Sequence, residues 1–354
     1  MKSKPFNLET PALPMNYAGF MFRRLCEDGY QAEALLDGTE LTAALFSDPH
    51  FRMQFSDLER FFKNAIQHTG DPYIGPRVAQ HFHPNFMGLP AYAAINAPTL
   101  RDALDVMNRF FFLTCPAIEF QFTDFEADLP ANQAAIRLRP NFLLKGVAYF
   151  VMGGALIVCN NLLRAILNQD QVASSVEIAA AEPAGWADVA DAFSRVPVRF
   201  DAQENRLIFS VELLDAPLPG ADPVNHFHLT AMCEKYAVDT DYETTPVSRV
   251  LSFLESSDNL GAPLSEAACA LGYSERGLRR DLERSGASYR GLSDEIRERR
   301  ARFLLSNTER AIQSIACELG YESASNFSRS FKRWTGVTPK MFRELRLKRT
   351  DGEK

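Results

Sequence analysis

A seven-residue pattern that occurs twice near the C-terminus constrains this chain more than any other feature. Ala267-Ala268-Cys269-Ala270-Leu271-Gly272-Tyr273 returns as Ile315-Ala316-Cys317-Glu318-Leu319-Gly320-Tyr321, with Cys, Gly and Tyr each displaced by 48 positions. Each copy runs directly into a basic, helix-compatible segment, Ser274 to Arg280 and Ser323 to Arg329. Helix, Gly-containing turn and basic helix, taken twice, are what a chain needs to lay two recognition helices into DNA.

The second copy sorts its residues cleanly. Ile312, Ile315, Ala316 and Leu319 fall at i, i+3, i+4 and i+7, the apolar face of a first helix. Phe327, Phe331 and Trp334 then bury a second helix against it. That leaves Ser325, Asn326, Ser328, Arg329, Lys332 and Arg333 on or beside the outward surface, and Ser323 at the start of the helix joins the candidate DNA contacts. In the first copy Leu278 and Leu282 take the burying role and leave Ser274, Arg276, Arg279 and Arg280 free. Arg pairs bidentately with guanine and Asn with adenine, whereas Lys and Ser more often hold phosphate and so position a helix without reading sequence. A lone basic helical face is usually just solvated. Two copies in register, with arginines at matching places (Arg280 and Arg329), argue against that reading.

Charge supports the division. The whole chain of 354 residues carries −7, which is wrong for a polyanion binder until it is split. Residues 245–354 hold 20 Lys and Arg against 15 Asp and Glu, a net of +5, leaving −12 for the rest. An acidic globular part thus carries a basic one. The six cysteines never form a C-x-x-C pair, so neither a disulfide framework nor a zinc pattern can be read, and reduced cytoplasmic thiols are expected. No apolar h-region follows the N-terminus, and the longest apolar stretch, near 143–158, contains Lys145 and ends at Asn160 and Asn161. A soluble, cytoplasmic protein with no membrane partner is the expectation.

Residues 1–14 read as a loose lead-in. Helical spacing runs from Tyr17 to about His81, and Thr99 with Asp102 three residues on opens another helix as a capping-box-like start. Period-two alternation at 118–123 and 135–139, around a turn-rich 128–133, predicts a hairpin. A helix over about 144–167 and a strand near 175–179 follow. Val196–Phe200 and Leu207–Val211, joined by Asp201 to Asn205, read as a second hairpin. The expected fold is an α+β domain over 15–230, a linker over 231–246, an all-α domain with two helix-turn-helix units over 247–349, and a tail over 350–354. Within the all-α part, Ser288 caps a middle helix with apolar face Leu292, Ile296 and Phe303, and Thr338-Pro339 starts a last one.

The run Gly320-Tyr321-Glu322-Ser323-Ala324-Ser325-Asn326-Phe327-Ser328-Arg329-Ser330-Phe331-Lys332-Arg333-Trp334-Thr335-Gly336-Val337-Thr338-Pro339 resembles the signature of AraC/XylS-type transcriptional regulators. The resemblance implies two helix-turn-helix units joined by a middle helix, entering successive major-groove faces of one promoter site about one helical turn apart. It also implies RNA polymerase as a partner and activation more often than repression. The first unit departs from the pattern at Gly277, which weakens a recognition helix by about 1 kcal/mol relative to Ala, and at Asp281, a negative charge where such helices are basic. Ile74-Gly75-Pro76-Arg77 through Phe86-Met87-Gly88-Leu89-Pro90-Ala91-Tyr92 to Pro98–Leu104 is similar to the arabinose-binding-like domain of the branch that includes ornithine-utilisation and VirS-type regulators. Nothing in these residues selects a sugar.

Three other features bear on function. His81/His83 and His226/His228 place two imidazoles at i, i+2, which share one side of a strand, but no third ligand is evident and no metal is assigned. Twenty-seven phenylalanines, clustered at 110–112 and again at 120, 122, 125, 142 and 150, are either core or the lining of an apolar effector pocket. If a pocket exists, Arg77, Arg137, Arg139 and Lys145 are the candidates to hold an effector carboxylate. Catalysis has little support, since no phosphate loop, nucleophile elbow or H-E-x-x-H is present, and no cofactor is implied. The reading is therefore a ligand-responsive DNA-binding regulator, whose effector alters either homodimerisation or the contact of 15–230 with 245–354. The rivals are an effector-independent architectural DNA binder and an enzyme or carrier with a helical tail.

Overall fold

The computed structural model describes Pro14, residues 16–48, 51–123, 129–141, 147–183, Trp186, and residues 190–193, 195–240, 246–255 and 260–344. The chain forms two compact units. The first comprises Met1–Ile178, Glu182–Arg199 and Glu204–Thr244; the second comprises Ala179–Ala181, Phe200–Gln203 and Thr245–Lys354.

In the first unit six helices precede the sheet: α1 (Asn16–Glu27), α2 (Ala32–Leu35), α3 (Phe55–Thr69), α4 (Ile74–Ala79), α5 (Leu89–Ile95) and α6 (Leu100–Phe110). α3 buries Phe55, Phe61, Phe62 and Ala65 along one face, and Gly70, left-handed at φ 66°, closes it. α6 starts at Thr99, whose Oγ1 accepts from the Asp102 N–H at 3.2 Å and donates to the Asp102 carboxylate at 2.7 Å. The helix start read from the sequence is thus a true cap.

Strands β1 (Ile118–Thr123), β2 (Gln133–Pro140), β3 (Ala173–Glu177), β4 (Val198–Arg199) and β5 (Asn205–Ser210) form one sheet in the order β1-β2-β5-β3-β4. The first hairpin is present, with Ile118 opposite Pro140 and Thr123 opposite Ala135. The second is not. β5 runs antiparallel to both β2 and β3, and β4 pairs only with β3, in parallel, through Val176–Val198 and Glu177–Arg199. The reason lies in β5 itself, whose first five residues are all buried: a strand covered on both faces belongs in a sheet interior with two neighbours.

The long helix α7 (Ala148–Leu167) packs on the sheet and on α4. Its Tyr149–Leu167 stretch is long and apolar enough to cross a membrane, yet 72% of the segment is buried inside the protein. Phe150, Leu156, Ile157, Leu162 and Leu163 are all at most 2% exposed, the signature of a central core helix. Asn161, which punctuates the apolar run, donates through Nδ2 to the carbonyls of Ala79 and Phe82 and so ties α7 to the end of α4. Where the two helices cross, a Cβ on Gly75 would stand 2.7 Å from the Phe150 ring, so only glycine permits the approach.

Helix α8 (Pro223–Thr240) corrects the linker expectation for residues 231–240. Cys233 is fully buried with Ala93, Val106 and Phe110, and that anchorage keeps the segment helical and part of the first unit. His226 and His228 therefore sit on a helix, where i and i+2 diverge by about 200°, and not on a strand. The His226 Nδ1 lies 2.9 Å from the Ala93 carbonyl oxygen.

The second unit contains α9 (Pro246–Glu255), α10 (Leu264–Ala270), α11 (Glu275–Arg284), α12 (Tyr289–Asn307), α13 (Ile312–Glu318) and α14 (Ala324–Thr335). The chain is helical again over 339–344, where Thr338 accepts the Met341 N–H at 3.3 Å. α12 is capped by Ser288, which accepts from the Gly291 N–H at 3.1 Å. Leu292 and Ile296 are buried and Phe303 is half-buried.

Candidate nucleic-acid interface

The duplicated pattern folds into two helix-turn-helix units with matching elements and turns. α10 and α13 occupy positions offset by 48 throughout, 264–270 and 312–318. Gly272 and Gly320 both adopt the left-handed conformation, at φ 75° and 76°. Tyr273 N–H donates to the Ala268 carbonyl at 2.8 Å, and Tyr321 N–H to that of Ala316 at 2.9 Å. One extra residue follows Tyr321, so the second helices are offset by 49: Leu278 matches Phe327 and Leu282 matches Phe331, all fully buried.

Each second helix opens on a serine. Ser274 accepts from the Gly277 N–H at 3.1 Å, and Ser323 from the Asn326 N–H at 3.2 Å. Both hydroxyl oxygens thus serve as caps, while their O–H groups stay able to donate to a phosphate. A Cβ on Gly277 would stand 3.0 Å from Ser274 Oγ, yet the equivalent position in the second unit holds Asn326 under the same kind of cap, so the cap does not by itself require glycine.

Opposite the buried face of α11, Arg276, Arg279 and Arg280 are exposed; on α14, Ser325, Arg329, Lys332 and Arg333 are exposed and Asn326 is half-buried. Their charges are not equally available. Asp281 is only 13% exposed along its side chain and holds Arg280 at 3.1 Å and Arg284 at 3.7 Å, so the acidic departure in this helix is turned into internal pairing. Arg333 reaches Asp294 of α12 at 3.0 Å. Arg329 donates to the Asn326 side-chain oxygen, which fixes the guanidinium and the amide relative to each other. Arg276, Arg279 and Lys332 make no ion pair among the described residues. Trp334 is only half-buried, its ring 6.4 Å from Tyr321, because the last turn of α14 rotates it to the rim of the core that Phe327 and Phe331 fill.

Two residues that sequence reasoning missed organise both turns. Arg249 of α9 lies over the Tyr273 ring at 5.1 Å and donates to its hydroxyl at 3.1 Å and to the Leu271 carbonyl at 2.6 Å. Arg297 of α12 lies over Tyr321 at 5.2 Å and donates to the Leu260 carbonyl at 3.0 Å. The signal was available, since 249 and 297 are again 48 apart and each precedes its tyrosine by 24.

The first unit contains an apolar cavity of about 90 Å³ between α1, the start of α3, the start of β1 and α7. Phe55, Phe62, Phe82 and Phe111 line it, together with Tyr17, Met87, Cys115 and Val151. Burial pushes the Cys115 thiol up to about 11, against smaller lowering by backbone hydrogen bonds at Ala117 and Ile118. Among the described phenylalanines singled out in the sequence, at 110–112, 120, 122 and 150, Phe111 alone lines it. None of the arginines proposed for an effector carboxylate reaches this cavity. Arg77 pairs with Asp71 at 2.7 Å, and Arg137 and Arg139 both pair with Glu204 on the polar face of the sheet, Arg139 at 3.1 Å. Lys145 lies outside the described residues. Beside that pair, buried Glu177 neutralises buried Arg206 at 2.7 Å, which stands directly across from Arg137. Among the described residues no group of three or more His, Cys, Asp and Glu could hold a metal ion.

Comparison with known proteins agrees with this division. Residues 29–218 match the arabinose-binding domain of AraC transcription regulators, N-terminal, and residues 267–345 match a helix-turn-helix domain. The ornithine utilization regulator of Pseudomonas aeruginosa is 25% identical over 341 residues, covering 96% of this chain and 99% of that protein. The transcriptional regulator VirS of Mycobacterium tuberculosis is 24% identical over 294 residues, covering 82% and 84%. Among solved structures, the transcriptional regulator CdpR from Pseudomonas aeruginosa aligns over 85% of this chain and 96% of its own, at 20% identity and a TM-score of 0.43. With an N-terminal family domain spanning more than half of its length and a C-terminal helix-turn-helix domain, this chain belongs to the AraC family of transcription regulators.

Proposed function

We propose that the protein is an effector-responsive, sequence-specific regulator, acting as an activator, that sets α11 and α14 in adjacent major-groove segments of one promoter site. The observation that carries this reading is the pair of helices with fully buried inner faces, serine caps, and outer faces bearing Arg276, Arg279, Arg329 and Lys332. Arg279, Arg329 and Asn326 are assigned to base edges. Arg276, Arg280, Lys332, Arg333, Ser274, Ser323 and Ser325 are assigned to phosphates or to the margins of the read sequence. RNA polymerase is the downstream partner, the cytoplasm the compartment, and no catalytic step is assigned.

A second copy of the chain is the partner we assign to the first unit. Val224, Phe227, Met232 and Tyr236 are exposed on α8, an unusual density of large apolar side chains for one helix. Antiparallel self-pairing centred on Ala231 would bury these apolar side chains of both copies against each other. Sedimentation of wild type against Phe227→Glu tests it; a wild-type monomer at micromolar concentration excludes the pairing.

The function is tested by incubating the protein with fragmented genomic DNA and sequencing what it retains. Two unequal boxes about one turn apart support the reading. Uniform retention with steep salt dependence favours an architectural binder instead. Retention that appears only when metabolite pools are added supports effector dependence.

A further inference from the structure

Native cores rarely leave voids larger than a water molecule, so the 90 Å³ cavity beneath α1 needs an account. Its lining is almost wholly carbon, and no charged side chain contributes to it among the described residues. The polar side chains in its lining are Asn16, itself exposed, Tyr17, Thr114 and Cys115, and two of them are engaged. Thr114 Oγ1 donates to the Met87 carbonyl at 2.6 Å, and the Tyr17 hydroxyl makes a long contact of 3.5 Å to the Gly75 carbonyl. Burial raises the pKa of both Tyr17 and Cys115, which marks the surroundings as hostile to charge.

These facts restrict what can enter. A pentose would bring several hydroxyls to a wall with few polar partners, and every unpaired hydroxyl taken out of water costs affinity. A zwitterionic amino acid would find no counter-charge. A hydrocarbon group gains from burial in proportion to its area and restores the dispersion contacts that an empty void forfeits. For scale, a dry engineered cavity of about 150 Å³ takes up benzene, so a somewhat smaller one suits a short alkyl chain or small ring.

We propose that the cavity between Tyr17, Phe62, Cys115 and Val151 is the effector site of the sensor unit, and that it takes a small, uncharged, hydrocarbon-rich molecule carrying a single hydroxyl or carbonyl. The Tyr17 hydroxyl, only weakly engaged, is the donor to that oxygen. The assignment rests on the reading of this unit as effector-binding. It sets aside Arg77, Arg137 and Arg139 as carboxylate holders for this site, since all three are committed to acidic partners elsewhere.

The test uses the full chain and defined probes: 1-butanol, 1-hexanol and cyclohexanol, with L-arabinose and glycine as controls. Hexanol or cyclohexanol should raise the unfolding temperature with saturable dose dependence, and the controls should not. Ala155→Leu, which fills the cavity from α7, should weaken that binding at least tenfold. If Ala155→Leu does not fold, the wild-type protein still decides the matter. Hexanol should slow alkylation of Cys115 by a small thiol reagent while leaving the exposed Cys269 and Cys317 unprotected. Equal responses to hexanol and arabinose, or no protection at Cys115 and no shift in unfolding, would overturn the assignment. Retention of genomic DNA is read separately. Site-specific retention without alcohol binding removes the cavity proposal alone, and alcohol binding without any DNA retention removes the regulator reading alone.

Discussion

Arg249 and Arg297 hold the same station in the two halves of the C-terminal unit: each lies over the tyrosine that ends its helix-turn-helix turn, at 5.1 and 5.2 Å from the ring. Each also donates to a backbone carbonyl, of Leu271 and Leu260, that no helix hydrogen bond satisfies. The repeat is therefore larger than the pattern that first shows it, and includes the helix before each turn. Replacing either arginine by Met removes a charge-assisted hydrogen bond, worth about 1.5–3 kcal/mol, and a cation–π contact, worth about 0.5–2 kcal/mol. Lys should restore little of it, because an ammonium cannot lie flat on a ring while donating to the carbonyl beside it. Urea unfolding of the full chain checks this, and equal stability of the Met and Arg proteins refutes the shared role.

The two turn glycines should respond differently to alanine. Both are left-handed, so each substitution costs about 1 kcal/mol in backbone strain. At Gly272 nothing lies within 4 Å of the added Cβ, whereas at Gly320 it would meet the Gly261 Cα at 2.7 Å. Gly320→Ala should therefore lower the stability of this unit by about 2–4 kcal/mol, and Gly272→Ala by the smaller amount. Comparable losses would mean that the Gly261–Gly320 contact is not as tight as described.

Trp334 provides a measure of burial. Phe331→Ala, at a fully buried site, should cost about 3–5 kcal/mol. The half-buried Trp334 should cost about 1–3 kcal/mol. A larger loss at Trp334 than at Phe331 would reverse the order of burial found here.

Glu295 predicts a pH dependence with a definite sign. Burial is the main cause raising its carboxyl above the ordinary value of 4.5; Glu298 and Glu255 add to the rise and Arg299 opposes it. An acid whose folded value is raised favours the fold when protonated. Its contribution is complete below the unfolded value near 4.5 and is lost as pH rises through the higher folded value. Glu295→Gln should thus match wild type near pH 4.5 and be more stable than wild type at neutral pH. A variant less stable at neutral pH than at pH 4.5, relative to wild type, contradicts the sign.

On DNA, Arg279→Ala and Arg329→Ala should weaken promoter binding without moving the unfolding midpoint, by about 1–3 kcal/mol for a lost base pairing. Lys332→Ala should weaken binding evenly across sequences and reduce the salt slope by about one. Footprint and affinity measurements at several salt concentrations separate these. Unchanged promoter affinity in both arginine variants would remove α11 and α14 from the interface.

The second unit was largely legible in the sequence because its information is local. Periodicity at Ile315 and Leu319, the turn glycine and the serine cap each determine structure within a few residues. The first unit was legible only where contacts are short in sequence. The β1–β2 hairpin joins adjacent segments and was found. The placement of β5 between β2 and β3 depends on pairing across about 30 and 70 residues, and a period-two pattern carries no record of which neighbour a strand selects. Phenylalanines could be counted, but their assembly into a cavity lining from α1, α3 and α7 could not. The arginines proposed for an effector were identified by charge alone, and their acidic partners, Asp71 and Glu204, appear only when the sheet and helices are folded.

The residue inserted after Tyr321 lengthens the second turn by one, and the outward side chains of α11 and α14 differ. On the proposed reading the two helices therefore read different sequences. A single bound molecule then has a front and a back on the duplex, and distinguishes upstream from downstream without help from a palindrome.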